Sequence, residues 1–165
     1  MNVNAAHKIN EKWSVGLLTH GSTLKNDVDR NNDGFLDAAT YAQVNVMNRW
    51  KYQSERIFSQ FGFKYVNDSR TGGQLGYVSQ EETPSVYGFT NGTKRAEVFS
   101  KTAILFPDKP YRGLALILNA VTHESNSLFG NRKYDANQNY GYGNLIYQDI
   151  FGSTQHTYKT AMSFV

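Results

Sequence analysis

The chain has 165 residues, no cysteine, and 17 basic against 14 acidic side chains, for a net charge of +3. Without cysteine there are no disulfides, thiolate nucleophiles or thiolate metal sites, and Lys and Arg spread along the chain leave no clustered basic footprint of the kind nucleic-acid binding uses. Hydrophobic residues make up 39% and mean hydropathy is −0.56, so no stretch approaches the roughly 18 consecutive apolar residues of a membrane helix.

Eleven Tyr, ten Phe and only three Pro are a β composition, and about eight strands can be read in order. The first runs from Asn2 to Ile9, and Asn10-Glu11-Lys12 turns it into a second, Trp13 to Ser22, with Trp13, Val15, Leu17 and Thr19 on one face. A long polar connection, Thr23 to Ala39, precedes the third strand, Tyr41 to Gln53. There Ala42, Val44, Val46, Trp50 and Tyr52 alternate with Gln43, Asn45, Met47, Arg49 and Lys51, because successive strand side chains point to opposite sides. After a tight Ser54-Glu55-Arg56 turn the fourth strand, Ile57 to Asn67, puts Ile57, Phe61, Phe63 and Tyr65 together.

Asp68 to Thr93 reads as a second long loop, since Gly72-Gly73, Gly76, Pro84, Gly88 and Asn91-Gly92 supply turn angles. The fifth strand, Lys94 to Phe106, sets Ala96, Val98, Thr102 and Ile104 against Glu97 and Lys101. Past the Pro107-Asp108-Lys109-Pro110 turn, Leu114, Leu116, Leu118 and Ala120 line the sixth. A loop around Ser125 to Asn131 leads to the seventh, Lys133 to Ile150, with Tyr134, Ala136, Tyr140, Tyr142 and Ile146 opposite Asp135, Asn137, Asn139 and Asp149. Phe151-Gly152-Ser153-Thr154 then turns into an eighth strand, Gln155 to Val165.

Two features of this pattern point to a transmembrane β-barrel. Several strands reach the roughly 9–11 residues that cross a bilayer at a tilt, and the connections alternate short and long, as in outer-membrane barrels. The expected fold is therefore all-β: an antiparallel up-and-down meander of about eight long strands, part of a barrel. Trp13, Trp50 and Tyr residues near strand ends suit an interfacial girdle.

One local motif suggests a ligand. In Asp29-Arg30-Asn31-Asn32-Asp33-Gly34-Phe35-Leu36-Asp37, oxygens at positions one, three and five with Gly at six match the start of a calcium loop. Asp29, Asn31 and Asp33 would give side-chain oxygens, Phe35 its carbonyl and Asp37 a direct or water-mediated ligand. Thr40 stands where an EF-hand has a bidentate Glu, and the flanks are strands, so this is no EF-hand; Asp27 is a substitute ligand, and an Asn/Asp/Gly surface turn is the simpler reading. Catalysis finds little support. His7, His20, His123 and His156 are scattered, Glu81-Glu82 and His123-Glu124 lack a catalytic context, Ser14, Ser59 and Ser100 lack a nucleophile elbow, and no helix follows Gly72-Gly73-Gln74-Leu75-Gly76 to cradle phosphate.

Four stretches taken together, Leu17-Leu18-Thr19-His20-Gly21-Ser22, Asp29 to Asp37, Asn48-Arg49-Trp50-Lys51-Tyr52 and Arg70-Thr71-Gly72-Gly73-Gln74, resemble the barrel of TonB-dependent outer-membrane receptors of Bacteroidetes type. The resemblance implies a location in the bacterial outer membrane among its lipids. It implies active uptake of a nutrient chelate, such as a ferric siderophore, haem or cobalamin, energised by the TonB complex through a plug domain. The chain carries no plug, no TonB-contacting box and no signal peptide, and eight strands compare with about 22 in such transporters. Residues 1–165 are thus expected to be an incomplete barrel segment, with no substrate-binding residue identified. The competing expectation is a soluble antiparallel β-sandwich acting as a calcium-dependent binding module, with the Leu114-Leu116-Leu118 and Phe61-Phe63-Tyr65 faces in its core.

Overall fold

The computed structural model describes residues 1–77 and 86–165; Glu81-Glu82 and Pro84, weighed above, lie outside them. Every regular element among these residues is a strand: β1 (Asn2–Lys8), β2 (Trp13–Leu24), β3 (Thr40–Gln53), β4 (Ile57–Gly73), β5 (Gly88–Leu105), β6 (Gly113–Phe129), β7 (Arg132–Phe151) and β8 (Ser153–Phe164). Each pairs antiparallel with the next, so the order β1 to β8 is an up-and-down meander in one sheet, with β1 and β8 as its edges. The sheet is not closed, and the described residues form no second layer of the kind a sandwich needs.

Most strands are longer than their patterns predict, β1 alone being shorter, by one residue, because it ends at Lys8, and two expected loops are corrected. Asp68 to Gly73 and Gly88 to Thr93, assigned to a loop, are paired strand ends with Asp68 opposite Thr93 and Gly73 opposite Gly88. Their glycines serve close packing here, since a Cβ on Gly72 would come within 2.7 Å of the Phe89 ring. Likewise Ser125 to Phe129 extends β6 up to a turn at Gly130 and Asn131, where Gly130 adopts a left-handed φ of 56°. The strict alternation of short and long connections therefore stops after β5. What remains is an asymmetry of ends: the turns at 9–12, 54–56, 106–112 and 152 lie at one end, and the connection 25–39, the Gly73 and Gly88 ends of β4 and β5 and the 130–131 turn lie at the other.

The register sorts the side chains into two unlike faces. Phe63, Val98 and Ala120 are cross-strand neighbours, as are Phe61, Ser100 and Leu118 in the next row, which makes one face mainly apolar. On the other lie Lys64, Glu97 and Val121 in one row and Arg49, Gly62, Phe99 and Asn119 in the adjacent one. In β7 the pairing assigns Tyr140 and Tyr142 to this polar face, opposite Val121 and Asn119, while Leu145 and Tyr147 join Leu116 and Leu114 on the apolar one.

The apolar face is the exposed one. Val98 is 57% accessible, Phe63 46% and Leu118 42%, whereas Val121, on the polar face, is the single buried hydrophobic side chain among the described residues. Along β4, Phe61, Phe63 and Tyr65 are exposed while Gly62, Lys64 and Val66 between them are half-buried, and β5 and β6 alternate the same way. A bent sheet crowds side chains on its concave side and spreads them on its convex side, so the polar face is the inner one.

Candidate functional site

The apolar face comes from the residues that β4, β5 and β6 place in register between Ile57 and Tyr65, Ile104 and Ala96, and Leu114 and Thr122. At about 3.4 Å per residue this band measures roughly 27 Å along a strand and roughly 20 Å once tilted, close to the apolar belt of an outer-membrane barrel. Beyond it, toward the long connections, the same face carries Asn67, Lys94, Glu124 and Asn137 in one row. Two pairs of polar side chains on this face are matched to one another: Ser59 and Thr102, inside the band, share a hydroxyl hydrogen bond of 2.8 Å, and on the adjoining β3 Trp50 Nε1 donates to Asn48 Oδ1 at 2.7 Å. Such pairing is what an apolar surrounding demands, because an unpaired polar group there is costly.

Aromatic rings gather at the short-turn border of this face. Trp13 packs on Tyr52 with centroids 4.9 Å apart, on Phe61 at 6.2 Å and on Trp50 at 6.5 Å; at the other side of the sheet Tyr158 contacts Tyr147 at 6.2 Å and Phe151 at 5.3 Å. Next to them Asp149 is buried and fully engaged, its Oδ2 accepting from Arg112 Nε at 2.8 Å and Tyr147 Oη at 2.6 Å while Oδ1 accepts from the Ile150 amide at 2.9 Å. This clamp ties the 106–112 turn to β7. The Asp149 carboxylate, through its hydrogen bond, raises the pKa of the Arg112 guanidinium above its ordinary value.

The polar face holds the charges. Glu97, only 13% exposed in its side chain, takes Lys64 Nζ at 3.2 Å and Arg95 Nη2 at 3.5 Å, and Asn119 Nδ2 donates to it at 2.8 Å. Tyr140 and Tyr142 flank this network through their pairing with Val121 and Asn119. Sequence reading placed Tyr140 and Tyr142 on a common side; which face of the sheet that is follows only from the pairing of β7 with β6.

The Asp29–Asp37 segment folds as nested side-chain turns. Asp29 accepts from the amides of Asp33 at 3.3 Å and Gly34 at 3.0 Å, Asp33 from the Phe35 amide at 2.8 Å and Asn31 Nδ2 at 2.9 Å, and Asp37 from the Arg30 amide at 3.0 Å. Left-handed φ angles at Asn32, 58°, and Gly34, 83°, make the bend. The Leu36 amide donates to the Gly73 carbonyl and the Leu75 amide to the Gly34 carbonyl, both at 2.8 Å, which fastens the segment to the end of β4. Each carboxylate keeps unused lone pairs. Among the described residues no group of three or more His, Asp or Glu is gathered closely enough to hold a metal ion.

The remaining candidates stay apart. His7, His20, His123 and His156 stand on β1, β2, β6 and β8, with His20 bonded to Asn2 Oδ1 at 2.6 Å and Ser22 Oγ at 3.2 Å. Glu124, next to His123 but on the opposite face, accepts from Asn126 at 2.8 Å. Comparison with known protein families, curated proteins and solved structures yields no match to this chain.

Proposed function

We propose that the sheet is part of the wall of a transmembrane β-barrel in the bacterial outer membrane, belonging to a receptor of the TonB-dependent kind that takes up a metal chelate or related nutrient. The observation that carries the membrane reading is the exposed apolar face: with one buried hydrophobic side chain among the described residues, the sheet lacks the core that stabilises a water-soluble domain. Lipid is the solvent such a face suits, with the polar face turned to an aqueous lumen. The aromatic border at the short-turn end and the polar extension of the strands at the other support the same reading, with short turns in the periplasm and long connections outside. The uptake role rests on the motifs that resemble that receptor family, and TonB would act through a plug domain outside these residues.

The membrane reading is tested by the fluorescence of Trp13 and Trp50 in the protein folded into vesicles. Quenchers attached to lipid near the headgroups should reduce it strongly and a water-soluble quencher weakly; a protein that stays in the aqueous phase would sink the proposal in favour of a soluble calcium-dependent module. The uptake role is tested in the source cell, where deleting the gene should abolish growth on one scarce chelate just as deleting TonB does. Within the same reading Asp29, Asn31, Asp33, Phe35 and Asp37 are the candidate ligands of a weak calcium loop, one that would have to draw its carboxylates closer together to hold the ion.

A further inference from the structure

The polar face is not uniform in charge. Its strand carboxylates, Glu97 and Asp68, are held by Lys64 and Arg95 and by Arg70. Toward the short turns the same face carries Lys8, Arg49, Lys51 and Lys101, with Lys8, Ser14, Lys51, Gln60 and Lys101 aligned in one row. None of these four cations forms an ion pair among the described residues. Three of them converge on a depression of about 370 Å³ lined on this face by Ala6, Lys8, Ser14, Gly16, Arg49 and Lys51. Its floor is low because Gly16 has no side chain and Ala6 and Ser14 have short ones; a Cβ on Gly16 would meet nothing closer than 3.9 Å.

We propose that this depression is a binding site for a compact polyanion, a small molecule carrying two or more carboxylate or phosphate groups. Lys8 and Lys51 stand on strands two apart, roughly 10 Å between backbones, and Arg49 lies about 7 Å along β3 from Lys51. Lys51 Nζ rests over the Phe58 ring, 5.5 Å from its centroid, and a change of rotamer brings it over that triangle, so that three long flexible side chains can bring their positive ends to one solute. Arg49 offers a planar fork for bidentate contact, and the lysines act as mobile point charges. The Ser14 hydroxyl supplies a neutral donor at the floor. The volume falls within the range of small-molecule sites and is too small for a folded partner. The site stands on register and charge and does not rest on the transport reading.

The test is calorimetric titration of the full folded chain, in buffer or non-ionic micelles, with inorganic pyrophosphate and separately with tricarballylate, which distinguishes phosphate from carboxylate ligands. Saturable one-to-one binding of at least one probe is expected. Arg49→Gln and Lys51→Gln should each weaken it by about tenfold, the effect of losing one charge-assisted hydrogen bond. Gly16→Val, which keeps every charge and has room for its Cβ, should abolish binding by filling the floor. Lys101→Gln removes an equal charge from the same row outside the depression and should leave affinity within about twofold, since a screened charge at that distance contributes little. Strand content by circular dichroism confirms that each variant is folded. The site is overturned by absence of saturable binding of both probes at millimolar concentration, by Lys101→Gln matching Arg49→Gln, or by unchanged affinity in folded Gly16→Val.

Discussion

Leu116 and Asn119 lie three residues apart on β6 and face opposite ways, which makes them a direct probe of what each face touches. Leu116 pairs with Thr102 and Leu145 within the exposed apolar band, while Asn119 turns inward to donate to Glu97. If the band meets hydrocarbon, Leu116→Arg should destabilise the folded protein in vesicles by about 2–4 kcal/mol when the position is at mid-bilayer. Asn119→Arg loses one hydrogen bond but keeps its head among hydrated polar groups, so its cost should be clearly smaller. Denaturant unfolding from vesicles measures both, and equal losses would remove the distinction between the faces. The alternation behind this pair was legible in the sequence, because side chains two apart in a strand must share a side. The partners were not: that Asn119 would meet Glu97 depends on the register of β5 with β6, which no local pattern encodes.

Strand ends expose the limit of composition as a guide. Gly72, Gly73, Gly88 and Gly92 look like turn residues, yet here they sit in the β4–β5 ladder, where a missing side chain makes room for an aromatic ring. Phe89 lies over Gly72 and stacks with Phe129 at 6.0 Å. Gly72→Ala should therefore strain this packing and destabilise by about 1–3 kcal/mol, the usual cost of overpacking. Gly113→Ala, at a position where a Cβ meets nothing within 4 Å, should be nearly neutral. Comparison of the two unfolding midpoints at constant m-value checks this. The same end of β4 carries the Asp29–Asp37 segment through its amide bonds. If that segment holds calcium, chelation should speed protease cutting within 25–39 while leaving strand content unchanged, and Asp33→Ala should mimic it. No heat with millimolar calcium and no change in cutting would dismiss the ion. Its oxygen spacing was readable in the sequence, whereas its attachment to β4 arises from residues nearly forty positions away.

At the scale of the whole sheet, the asymmetry of ends becomes a statement about sidedness. Antiparallel order sends the turns 9–12, 54–56, 106–112 and 152 to one end, and the connection 25–39, the Gly73 and Gly88 ends of β4 and β5 and the 130–131 turn to the other. The Trp13, Trp50, Tyr52 and Phe61 cluster borders the first end, and the polar strand extensions of β4 to β7 lie at the second. An amphipathic ring cluster is most stable at headgroup depth, and at the opposite end the outer face turns polar with Asn67, Lys94, Glu124 and Asn137 in one row, which suits water. A barrel wall so oriented presents residues 25–39 outside the cell and residues 54–56 to the periplasm. A short epitope inserted between Lys25 and Asn26 in the protein as made by its own cell should bind antibody on intact cells. The same epitope inserted between Glu55 and Arg56 should bind only after the outer membrane is permeabilised. Because both sites lie in exposed connections, insertion leaves the paired backbone of the sheet intact, and detection of both after permeabilisation shows that each protein was made. Reversed labelling would invert the orientation, and labelling of both sites on intact cells would remove the membrane between them.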